Sequence, residues 1–115
     1  MNKKEILDLL VYVGTRLRNS IENVYFNNLM NTILSHNDPK EALILFMIHV
    51  RMMVKWGTIR SSIASEIINK VIETYNNASD EEKYKILVYM RKYLPWVYES
   101  NTRVCNNFEE FIAVN

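Results

Sequence analysis

Residues 41–75 read EALILFMIHVRMMVKWGTIRSSIASEIINKVIETY, and their pattern decides the fold. Every residue from Ala42 to Ile48 is apolar, so a helix over this run has no polar side and is expected to pass through the middle of a bundle. Gly57 ends that helix, because glycine readily takes the left-handed conformation after a last helical turn, and Lys55 suits the negative end of the helix dipole. Beyond the glycine, Ile59, Ile63, Ile67, Val71 and Tyr75 recur at near-fourfold spacing opposite Ser62, Glu66, Asn69 and Glu73. That spacing predicts a second, amphipathic helix. No acid lies between Glu41 and Glu66, whereas Arg51, Lys55 and Arg60 cluster around the corner. The segment pairs a buried spine with a local positive charge.

Upstream, Asp38 can cap the apolar helix, Pro39 fits its first position and Glu41 completes a capping box, which gives a helix over about 39–56. A helix is predicted before it from Lys3 to about Arg18, with Ile6, Leu10, Val13 and Leu17 on one face. Gly14 falls inside that pattern and destabilises it unless another helix packs closely there. A further helix runs from near Ser20 to near Leu34 on Ile21, Val24, Tyr25, Leu29 and Ile33, and Ser35-His36-Asn37 makes the turn. Downstream, Asn76-Asn77 breaks the pattern, and Ser79 with Glu82 forms another capping box. The helix that follows reaches about Tyr93, where Pro95 ends or kinks it. Its buried stripe is Ile86, Met90, Tyr93 and Val97 if the helix continues past the proline. A short terminal helix is expected around Phe108 to Ala113. The expected architecture is a single all-α domain over residues 1–115, a bundle of about five or six helices around the apolar one.

A chain of 115 residues supports one helical core. The net charge of +1 provides no global field toward nucleic acid or membrane, so electrostatic arguments rest on local clusters. The single cysteine, Cys105, excludes an internal disulfide and a thiolate metal cluster, and is read as a small buried hydrophobe. Met1-Asn2-Lys3-Lys4 starts basic, but Glu5 and Asp8 interrupt the apolar residues that follow, against a secretory signal. The longest apolar run, Ala42 to Ile48, is far short of the roughly 20 residues of a membrane span. A soluble, cytoplasmic protein without a membrane partner is expected.

Catalytic chemistry finds no constellation. His36 sits in a polar turn and His49 in the apolar helix, where a satisfied core histidine outweighs a metal ligand. No Glu-x-x-His pair supports a di-iron bundle. Gly14 and Gly57 stand alone, so no glycine loop cradles phosphate. Ser61, Ser62 and Ser65 lack a nearby base, and the acids Glu81-Glu82 and Glu109-Glu110 match helix starts. The chain reads as non-catalytic, with no cofactor and no metal.

Cations are more informative. Arg16 and Arg18 close the first helix in a stretch without acids, Arg51 and Lys55 are one turn apart, and Arg60 follows the corner. Lys83, Lys85, Arg91 and Lys92 accumulate on the fifth helix, where Tyr89, Lys92 and Trp96 are spaced to share a flank. Backbone phosphates need only a few placed cations, and interleaved aromatics can stack on single-stranded bases. Solvated helix faces and helix-end charges explain any one cluster equally well. A DNA-reading helix-turn-helix fits poorly: the bulky Met53 lies four before Gly57, and only Arg60 is placed to read bases.

The run Val54-x-x-Gly57-x-x-Arg60-Ser61-x-Ile63-Ala64 resembles a stretch of the small subunit of archaeal type I-A CRISPR interference complexes, and the likeness extends over roughly Ile6 to Ala64. Members of that family often carry a β-rich insertion after this region, so this chain would be a purely helical version. The helical small subunits of type III complexes remain the neighbouring choice. The resemblance implies a non-enzymatic subunit that touches larger backbone subunits and sister copies along a filament, and supports guide RNA paired to its target or a displaced strand. Arg60 and Ser61 are the residues it matches. Arg16, Arg18, Arg51 and Lys55 come from charge placement alone, and Met52, Trp56 and Trp96 are expected subunit contacts. The competing reading is a small helical protein-interaction module, such as a viral bundle whose groove captures a partner helix, with no nucleic-acid role.

Overall fold

Six helices follow one another along residues 3–115, the part of the chain that the computed structural model describes: α1 (Lys3–Arg18), α2 (Asn23–Leu34), α3 (Pro39–Lys55), α4 (Ser61–Asn76), α5 (Asp80–Glu99) and α6 (Phe108–Val114). Among these residues no strand occurs. Met1 and Asn2, which open the basic start, lie outside the described residues. The all-α bundle expected from the sequence is the observed one.

The punctuation around α3 and α4 works largely as its residues predict. Asp38 accepts the Glu41 N–H at 3.0 Å, with Pro39 in the first turn. The expected return bond from Glu41 does not form; its carboxylate lies 3.8 Å from His36 Nε2 instead. At the far end Gly57 has φ of +75°, and two bonds close the helix: Gly57 N–H to the Val54 carbonyl at 3.0 Å and Thr58 N–H to the Met53 carbonyl at 2.8 Å. This paired pattern is a Schellman stop. A Cβ on Gly57 would meet nothing within 4 Å, so only the backbone conformation demands glycine. Gly57→Ala is expected to lower stability by about 1–2 kcal/mol, and Gly57→Asn by less, measured by urea unfolding.

The most enclosed helix is α1, not α3. Ile6, Leu9, Leu10, Val11, Val13, Gly14, Thr15, Arg16 and Leu17 are all buried as α1 packs against α5, α4 and α6. α3 is one wall: Ala42, Leu43, Phe46, Val50 and Met53 face inward, while Ile44, Ile48 and Met52 are exposed, Ile48 at 53 %. An apolar outer stripe forgoes burial but breaks no rule of folding, so composition alone did not place α3 at the edge.

Gly14 marks where α1 and α5 approach. A Cβ there would lie 2.6 Å from Val97 Cγ1 and 2.9 Å from Val97 Cβ. This is the close packing the sequence required. Gly14→Ala gains about 1 kcal/mol of helix propensity but overpacks the contact, for an expected net loss of about 1–2 kcal/mol in chemical denaturation. Val97→Ala in the same chain should recover part of it, since it removes the nearer of these two atoms.

Two further boundaries differ from expectation. α2 starts at Asn23, because Ser20 is held in the α1 stop by its N–H bond to the Leu17 carbonyl at 3.1 Å. In α2, Val24 and Tyr25 face outward, while Phe26, Leu29, Met30 and Ile33 are buried. α5 continues through Pro95, and Leu94 takes the buried position expected of Tyr93, which is only half-buried. The turn beyond the proline is anchored by Tyr98, whose ring stacks on Phe26 at 3.9 Å and whose hydroxyl donates to the Ile21 carbonyl at 2.7 Å. The Ser79–Glu82 capping box is present, and the Ser79 backbone N–H and hydroxyl hold the Glu82 carboxyl below its ordinary pKa.

Candidate functional site

The corner after Gly57 is built by the start of α4. Arg60 is the residue that caps this helix, yet its side chain makes no capping bond, and the first turn carries no acid. The backbone ladder begins only with the Ala64 N–H bond to the Arg60 carbonyl at 3.0 Å. The amides of Ser61, Ser62 and Ile63 thus form a partially positive end beside the Arg60 guanidinium. A groove of about 430 Å³ opens against this end, between the turn after α1 and the segment before α6. Asn19, Ser20, Thr58 and Arg60 supply polar groups to it, and none of its lining residues is a carboxylate. Chemically, such a groove suits an anionic oxygen.

The other cations divide by what they touch. Arg51 is exposed and donates to Ser65 Oγ at 3.3 Å, tying α3 to α4. Lys55 is exposed and makes no ion pair among the described residues. Neither lines the groove, so Arg60 and the residues after it define the corner while Arg51 and Lys55 flank it along α3. Arg18 is half-buried, with Nε–H on Asn101 Oδ1 at 3.0 Å and its guanidinium 5.2 Å from the Tyr98 ring centre.

Arg16 also lines the groove, but its guanidinium is engaged within the fold. It is 5 % exposed and pairs with Glu66 at 3.1 Å. Its remaining donors reach the carbonyls of Tyr12 at 3.2 Å and Cys105 at 3.0 Å, and Asn106 Oδ1 at 2.7 Å. The guanidinium also lies 3.4 Å from the centre of the Tyr12 ring. Arg16 therefore ties α1, α4 and the segment before α6 together. Its acid stands 50 positions along the chain, so a local scan for charge could not find it. Arg91 is likewise structural: it donates to the Ile33 carbonyl at 2.5 Å, to the His36 carbonyl and to Asn37 Oδ1 at 3.2 Å, covering the open end of α2.

The expected contact residues Met52, Trp56 and Trp96 are all exposed, the tryptophans at 60 % and 64 %. Trp56 meets His49 edge to face at 5.8 Å, and partial burial pushes the His49 pKa down. Cys105 is buried, which pushes its thiol up and matches its reading as a small core residue. Among the described residues no three His, Cys, Asp or Glu side chains converge as a metal site, and no helix is long and apolar enough to cross a membrane. No protein-family model matches the chain, and no curated protein or solved structure matches it either.

Proposed function

We propose that this chain is a non-catalytic small subunit of a CRISPR ribonucleoprotein surveillance complex, where it supports guide RNA or target strands through backbone contacts and packs against larger subunits and sister copies. The observation that supports this reading best is the corner itself: an uncapped, acid-free α4 start, Arg60, and a polar groove without carboxylates. Those features suit phosphate oxygens without reading bases. Arg51 and Lys55 extend the positive charge along α3, and the outward Met52 and Trp56 leave apolar area for neighbouring subunits.

Charge reversal tests the surface. Arg51→Glu, Lys55→Glu and Arg60→Glu together should leave the fold intact, since all three side chains are exposed. Assembly with guide RNA and target-strand binding should be lost. For a single strand, removing about three phosphate contacts makes the slope of log affinity against log salt shallower by about 2. Unchanged assembly and target binding in this variant would show that the corner is not the interface.

A second reading, a helical protein-interaction module with no nucleic-acid role, is favoured by the outer stripe of α3. Ile44, Ile48, Met52 and Trp56 follow one another at fourfold spacing, all exposed. Such a stripe suits an amphipathic partner helix.

A further inference from the structure

We propose that the outer stripe of α5, made by Lys85, Tyr89, Lys92 and Trp96, is a stacking site for single-stranded nucleic acid, separate from the Gly57 corner. These positions fall at i, i+4, i+7 and i+11 and so share one helix face. Cation and aromatic alternate along a rise of about 16 Å. The rings form a connected ladder: Tyr89 meets Tyr93 at 5.4 Å, and Tyr93 meets Trp96 at 5.4 Å, both edge to face. Lys92 Nζ lies 5.3 Å from the Tyr93 ring centre, and Trp96 at the end of the ladder is the most exposed large hydrophobic residue described.

Charge decides between possible occupants. No acid occurs from Lys83 to Tyr98, and Lys85 and Lys92 are exposed and make no ion pair among the described residues. Arg91 is held on the carbonyls at the end of α2, so the charge on this face belongs to those two lysines. Glu99, one turn beyond Trp96, sets the limit of the positive stretch. An apolar partner helix laid here would bury two lysine heads without counter-charge, which is costly. A single strand suits both components: phosphates face the lysines, and unpaired bases stack on the rings with little sequence preference. A duplex keeps its bases stacked inside and cannot use the rings in this way.

The proposal rests on the α5 face alone, and it is tested with the full chain carrying Trp56→Phe, which leaves Trp96 as its one tryptophan. At low salt, a short oligothymidylate should quench Trp96 fluorescence, and a blunt duplex of equal length should not. Trp96→Ala should weaken binding about tenfold, read by anisotropy of a labelled oligonucleotide, while Trp96→Phe keeps most of it. Lys85→Glu with Lys92→Glu should make the salt slope shallower by about 1. The corner triple variant should retain the quenching, which separates this site from the functional proposal. Absence of quenching, equal quenching by duplex, or a Trp96→Ala chain that binds the strand normally but loses a protein partner would overturn it.

Discussion

Truncation of Tyr98 to alanine is expected to lower the unfolding free energy by about 3–5 kcal/mol, the range for deleting a large buried aromatic. Its side chain is among the largest that are fully buried. The ring lies flat on Phe26, with planes 9° apart, and so joins α5 to α2. Its hydroxyl supplies the Ile21 carbonyl with a donor where the chain leaves α1. Tyr98→Phe keeps the stack and deletes that donor, so it should cost only about 1 kcal/mol. Urea unfolding followed by far-UV circular dichroism separates the two. The alanine variant should also fray the last turn of α5 beyond Pro95, seen as faster amide exchange after Trp96. Ser100 still ties this turn through its hydroxyl on the Val97 carbonyl at 2.6 Å, so the fraying should stay local.

Arg16→Ala is the second large effect, at about 2–4 kcal/mol. The loss comes from several acceptors at once. The Tyr12 and Cys105 carbonyls and the Asn106 side chain lose a donor inside or at the edge of the core. Glu66 is less affected, because its side chain is 42 % exposed and can return to water. Arg16→Lys should lose nearly as much, since one ammonium cannot span acceptors on three segments as a planar guanidinium does. Glu66→Gln should cost less than either, because an amide oxygen can still accept from Arg16. A second readout is chemical. Thr15 Oγ1 still accepts the Cys105 N–H at 3.0 Å, but without Arg16 the segment opens more often, and the Cys105 thiol should react faster with a disulfide reagent. In contrast, Arg51, Lys55 and Arg60 are exposed, so single alanine changes there should stay within about 0.5 kcal/mol.

These two residues also mark how far the sequence could be read. Helix positions followed from local signals: Asp38-Pro39 before α3, the Ser79–Glu82 box before α5, and Gly57 after α3 each act through atoms a few residues away. Gly14 posed a question whose answer, Val97, lay on another helix. Arg16 stood at a helix end in an acid-free stretch, which looks like a free cation when only neighbours are considered. Its partners come from α4 and from residues 105–106. On α2, Leu29 and Ile33 are buried as expected, but the buried stripe runs through Phe26 and Met30 rather than Val24 and Tyr25, a choice that depends on which neighbouring helices the face meets. At the candidate corner, the positions of Arg60 and Ser61 were legible. The groove beside them was not, because it is assembled from three separated segments.

The central claim is that this chain works on a nucleic-acid backbone within a larger assembly. The most direct measurement is recovery of the tagged full-length chain from its native cell under low salt, with nuclease-protected RNA sequenced and co-purifying proteins identified. The account predicts short guide RNA with a shared repeat-derived end, together with larger backbone subunits, both lost in the Arg51→Glu, Lys55→Glu, Arg60→Glu chain. Recovery in fixed proportion with a protein partner, free of nucleic acid and unaffected by those three changes, would contradict it.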